Sequence, residues 1–166
     1  HGQQPDIRSL ELASRVDESL RHYTLSSSAL SSSGALDFFN ECKPLVWVGI
    51  TGQKRCWVEQ VEGTANILNT LYESFPNLGV IFDGWTPPLT SSKSHRREAR
   101  KDDKVIHQII KRLQFRKHGR FGIIAGLPMC EKIRVGLSVD LYFANYTTGS
   151  INVARICQKP GIGHMS

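Results

Sequence analysis

Residues 45–85 read LVWVGITGQKRCWVEQVEGTANILNTLYESFPNLGVIFDGW. LVWVGI (45–50) and LGVIFDGW (78–85) are apolar runs without polar alternation, the pattern of strands covered on both faces. Between them Val58, Val61, Ala65, Leu68 and Leu71 recur at helical spacing, and Phe75-Pro76-Asn77 breaks the helix expected over 57–74. Strand, helix and strand in that order predict a right-handed crossover and a parallel pair.

The same alternation continues toward the carboxyl end. TPPLTSSKSHRREARKDDK (86–104) reads as a long basic loop and VIHQIIKRL (105–113) as a helix. FGIIAG (121–126) reads as a third strand, Met129 to Gly136 as a helix and VDLYFAN (139–145) as a fourth strand. After the turn YTTG, a helix is expected over Ser150 to Cys157; Lys159-Pro160-Gly161 stops it, and GIGHM offers a last short strand. Toward the amino end, Ile7, Leu10, Leu12, Val16 and Leu20 mark an amphipathic helix over 7–23. The serine-rich LSSSALSSSG then reads as a linker, and ALDFFNECKP as a short helical piece closed by Pro44. The expected architecture is a helix and linker over 1–43, followed by a Rossmann-like α/β domain over 44–166. That domain has three layers and a mainly parallel sheet.

Composition narrows the class. With 166 residues, 40% hydrophobic and 22% charged, the chain suits one globular domain. No apolar run approaches the roughly 18 residues of a membrane span. Residues 1–6 carry no apolar stretch, and the opening His1-Gly2 predicts a piece of a longer protein with a preceding α/β domain. Cys42, Cys56, Cys130 and Cys157 lack CxxC spacing, which excludes the common zinc and redox motifs. They are expected to be small buried hydrophobes in a reducing, cytoplasmic setting.

The net charge of +6 is local: residues 91–120 hold eleven Lys and Arg against three acids. No aromatic residues interleave with KSHRREARKDDK, so it lacks stacking platforms for single-stranded nucleic acid, and a loop is not a groove-binding face. Nucleic acid is therefore not an expected partner. Beyond a solvated insertion, the segment suits an anionic membrane surface through Lys93, Arg96, Arg97, Arg100 and Lys101.

In open parallel sheets ligands bind at the carboxyl ends of strands, where loops lead into helix amino termini. GxGxxG and GxxxxGK[ST] are both absent. TGQKR (51–55) instead offers Gly52 for a tight turn and Lys54 and Arg55 as cations suited to a diphosphate. NYTTGS (145–150) offers Thr147, Thr148 and Ser150 as hydroxyl donors around Gly149, with Asn152 in the helix that follows. Thr148 or Ser150 could equally serve as an ordinary helix cap. Gly126 closes the third strand. Asp83 and Asp140 are either ribose-side partners or structural strand-end carboxylates.

Together these stretches resemble the carboxy-terminal domain of heptosyltransferase-like GT-B glycosyltransferases (glycosyltransferase family 9-like). The likeness runs over about residues 45–162. Its elements are the strand into a glycine loop, the Lys near a Trp, and AGLPMCEKIRVGLSVDLYFANYTTGSINVARICQKPGI as closing pattern. Tyr146-Thr147 stands where that family has Asp before its Ser/Thr-Gly, and Asn152 where a His is usual. The resemblance implies a domain that binds a nucleotide-sugar donor, with Lys54 and Arg55 on the diphosphate and Thr148, Gly149 and Ser150 around its oxygens. It implies hexosyl or heptosyl transfer to a cell-surface polysaccharide or lipopolysaccharide acceptor, at the inner membrane face. No metal or other cofactor would take part, and the domain would be inactive without an amino-terminal partner domain. A non-catalytic interaction module and another nucleotide-binding enzyme domain are the alternatives. Failure to bind any nucleoside diphosphate would point to the first, and preference for a dinucleotide to the second.

Overall fold

The structure, a computed structural model, describes residues 7–26, 37–52, 57–88, 93–118, 120–145 and 150–164. Five strands form one sheet: β1 (Leu45–Gly49), β2 (Gly79–Asp83), β3 (Phe121–Ile123), β4 (Leu141–Asn145) and β5 (Gly161–His164). All pairings are parallel, and the order is β3-β2-β1-β4-β5. The α/β class and the parallel sheet thus stand as the sequence predicts.

The helices are α1 (Ile7–Ser26), α2 (Gln60–Ser74), α3 (Lys93–Arg112) and α4 (Met129–Ser138), with 3-10 turns at Asp37–Glu41 and Arg116–His118. Alternate side chains of β1 face opposite layers, so every residue of this central strand is buried. Val46 and Val48 join Leu68, Phe82, Ile106, Ile109 and Phe115 beneath α2 and α3. Leu45 and Trp47 join Ile81, Val135 and Val153 on the other face. There α1 packs on α4 through Leu20, near Ile133 and Ile156, and its Asp17 accepts from Arg155 Nε at 2.8 Å.

Three elements differ from expectation. The basic stretch read as a loop is helical from Lys93, because the apolar stripe of Ile106, Ile109 and Leu113 extends back through Asp102 at helical spacing. Asp102 turns inward and the basic residues Arg97, Arg100, Lys101 and Lys104 remain outside. The expected α-helix over 150–157 is instead a short π-helix, Ile151–Ile156, closed by Cys157 N–H on the Asn152 carbonyl at 2.9 Å. Strand β3 is also shorter than read: Ile124 and Ala125 already lie in the turn toward α4.

Above β2 the two helical layers meet through polar groups. Lys132, fully buried in the first turns of α4, pairs with Asp83 at 2.5 Å and donates to the carbonyls of Gly84 (2.7 Å) and Trp85 (3.3 Å). The ammonium thus donates to two carbonyls and has the Asp83 carboxyl as its ion-pair partner. Burial pushes the Asp83 carboxyl up to about 6, against the pull of Lys132. A carboxyl raised in this way weighs against folding as pH rises from its ordinary value through about 6, and not below.

Replacing Lys132 with Met should therefore cost about 3–5 kcal/mol at neutral pH by leaving Asp83 buried without its cation. Urea denaturation should show the loss shrinking at pH 5, where Asp83 can take a proton, and in the Lys132→Met, Asp83→Asn double variant. A single variant as stable as wild type would show that the pair does not hold the edge.

Candidate functional site

The strand order reverses between β1 and β4. Chain connections run outward from β1 to β2 and β3 on one side, then jump back to β4 and β5 on the other. The loop after β1 leads to α2 on one face, and the loop after β4 leads to the π-helix on the opposite face. Loops that diverge from adjacent strands leave a crevice at their carboxyl ends, the ligand position in open sheets of this kind.

The residues that follow β1 are held by several polar contacts. Gln60 at the start of α2 grips Thr51 twice: its Oε1 accepts the Thr51 N–H at 3.1 Å and its Nε2 donates to the Thr51 carbonyl at 2.7 Å. Gly52 N–H donates to Asp102 Oδ1 at 2.6 Å. A Cβ on Gly52 would lie 2.8 Å from the Lys101 carbonyl carbon and 3.0 Å from the Asp102 nitrogen, so only glycine lets the loop lie against α3. The second oxygen of Asp102 accepts the Trp85 N–H, also at 2.6 Å.

The predicted residues divide accordingly. Lys54, Arg55, Thr147, Thr148 and Gly149 lie outside the described residues. Gly52 stands at the root of the first loop, with its amide already committed to Asp102. Gly126 adopts φ +83 and donates to the Trp85 carbonyl at 2.9 Å, beside β2 and β3 rather than at the β1–β4 crevice. Ser150 and Asn152 are buried at the start of the π-helix, and Ser150 makes no side-chain cap there. Asp83 lies beneath the second loop, held by Lys132.

Asp140 belongs to the opposite end of the sheet. It accepts the Leu45 N–H at 2.7 Å and the Lys43 ammonium at 3.0 Å, before β1 begins, so it is a structural carboxylate. Despite partial desolvation, these donors hold its carboxyl below the ordinary value.

Reading by sequence missed three participants. Asp102 lay hidden in a charge run, although the back-extended apolar stripe of α3 points to it. Lys132 gave no signal beyond its place in a half-apolar helix. An aromatic group beside the crevice also went unseen: His164 at the end of β5 stacks on Phe143 of β4 (5.0 Å), with Trp57 tilted at 5.8 Å before α2.

The parallel sheet and its topology define the class, a Rossmann-like α/β domain. No family model matches the chain, and no curated protein does. Solved structures share the fold. MnaA from S. aureus in complex with UDP is 14% identical, with a TM-score of 0.53 over 87% of this chain and 33% of its own. The UDP-forming α,α-trehalose-phosphate synthase from Burkholderia xenovorans is 9% identical, with a TM-score of 0.57 over 88% of this chain and 34% of its own. The trehalose-6-phosphate phosphatase amino-terminal domain of Candida albicans is 14% identical, with a TM-score of 0.50 over 86% of this chain and 31% of its own. This chain spans about a third of the length of each. Among the described residues, no helix is long and apolar enough to cross a membrane.

Burial holds the His164 imidazole below its ordinary pKa of 6.5, so the unfolded chain protonates first on acidification. Its contribution is intact above 6.5 and is lost as pH falls through that window. Replacement by Phe, which keeps a ring on Phe143, should flatten the drop in melting temperature between pH 7.5 and 5.5. An unchanged drop would mean that His164 titrates as in solvent.

Proposed function

We propose that this chain is the nucleotide-sugar-binding half of a GT-B glycosyltransferase of the heptosyltransferase-like kind. The observation that carries the reading is the reversal of strand order between β1 and β4. Because these strands are neighbours, the connections that follow them begin side by side at the carboxyl edge of the sheet. The presence of UDP with MnaA supports a nucleoside diphosphate as the ligand class. In this reading Lys54 and Arg55 neutralise the diphosphate, Thr148, Gly149 and Ser150 surround its oxygens, and no metal is needed. The general base comes from a further amino-terminal domain, so the chain alone binds the donor without transferring the sugar.

Isothermal titration with UDP, GDP and ADP tests this directly. A Lys54→Ala, Arg55→Ala variant should lose about 1.5–3 kcal/mol, roughly ten- to a hundredfold in affinity. Unchanged affinity for every diphosphate would remove the assignment. Absence of binding by the wild type would favour a non-catalytic interaction module.

Attachment to an anionic membrane, where a lipid-linked saccharide acceptor resides, extends the reading. Its support is α3, which carries Lys93, Arg96, Arg97, Arg100 and Lys101 on one continuous helix with Arg97, Arg100 and Lys104 exposed. Each such cation contributes about 1 kcal/mol near an anionic bilayer. The Arg97→Glu, Arg100→Glu, Lys104→Glu variant should stop co-sedimenting with phosphatidylserine vesicles at moderate salt. Equal sedimentation of wild type with neutral vesicles would refute the attachment.

A further inference from the structure

At the amino edge of the sheet, the end opposite the crevice, the 3-10 turn Asp37–Glu41 and the last turn of α4 flank the start of β1 and leave a cavity of about 120 Å³. Its floor is apolar: Phe39, Leu45, Ile81 and Val135 are each buried and belong to one core cluster. Its mouth is polar, with Asn40, Lys43 and Ser138 all exposed. Trp47 adjoins the floor, two residues after Leu45 on β1 and in register with Ile81. Its indole Nε1 is buried and has no hydrogen-bond partner among the described residues. Interiors are ordinarily close-packed and their polar groups satisfied. At this edge a void and an unsatisfied donor stand beside the same two core residues, Leu45 and Ile81.

Size selects the body of an occupant. An apolar cavity of about 150 Å³ accommodates a benzene molecule, so this one suits a single six-membered ring with its substituent at the mouth. Charge selects the substituent. Lys43 is held at the mouth by Asp140 Oδ1 at 3.0 Å, and Asp140 is itself anchored by the Leu45 N–H at 2.7 Å. One ammonium proton goes to Asp140, which leaves the other two for a ligand. Lys43 and Lys159 both act on that single carboxylate, while Arg120 and Glu41, one of each sign, act on the neighbouring Cys42. The local balance is therefore positive. We propose that this cavity binds a small aromatic carboxylate, its ring on Phe39, Ile81 and Val135 and its charge on Lys43, with Asn40 and Ser138 as further donors. The site lies at the far edge of the sheet from the crevice and does not depend on the nucleotide reading.

Benzoate is the probe, and the indole N–H resonance of Trp47, assigned with Trp47→Phe, is the reporter. Titration should shift that resonance saturably, with a dissociation constant in the millimolar range expected of so small a ligand. Benzylamine, of similar size and opposite charge, should bind at least about tenfold more weakly. Lys43→Met should weaken benzoate about three- to fivefold, the scale of an exposed ion pair, and leave benzyl alcohol unchanged. Val135→Phe fills the cavity from its floor and should abolish the response. Ser138→Tyr, at the exposed mouth, blocks entry and serves if the core variant does not fold. No saturation by about 50 mM benzoate overturns the inference. So do equal binding of benzylamine, unchanged benzoate affinity in Lys43→Met, or an unaltered response with the cavity filled or blocked.

Discussion

An ammonium group cannot be left without partners where water is excluded, and the carboxyl edge of this sheet is arranged around one. Lys132 reaches from α4 to Asp83 as its ion-pair partner and donates to the carbonyls of Gly84 and Trp85. Desolvating such a pair costs several kcal/mol per ion, which attraction offsets only when the geometry is good. Its contribution to the fold is arrangement: the first turns of α4 must stand over the end of β2. Once they do, the Gly84–Trp85 loop is fixed from one layer, and Asp102 completes the hold from the other.

That framework bears on how an anion could be recognised here. Backbone amides at the root of a loop after a parallel strand are often the anion donors in such sheets. In this chain the Gly52 amide is satisfied by a carboxylate.

The excess positive charge has a similar logic. α3 is amphipathic, with its inner stripe of Ile106, Ile109 and Leu113 buried among β1, β2 and α2 side chains. A helix held so firmly by one face displays the other as a fixed ridge. Among the described side chains, Arg97, Arg100, Lys101 and Lys104 thus stand exposed along a helical surface.

The strands and the fold class were legible in the sequence because burial on both faces leaves an unbroken apolar run, and the period of that pattern is local. The loops after β1 and β4 are a candidate site by sequence because glycine, hydroxyl and basic residues cluster there, and most of those residues lie outside the described ones. What tertiary structure alone decided was the set of polar contacts between distant segments: Asp102 with Gly52, Lys132 with Asp83, Asp140 with Leu45. Charged residues in sequence carry no mark of burial, since a buried ion is tolerated only if partners 50 residues away arrive with matching geometry. The helical start of α3 was hidden for the same reason. Its inward Asp looks like one more solvated charge until the loop amides that it accepts are folded against it.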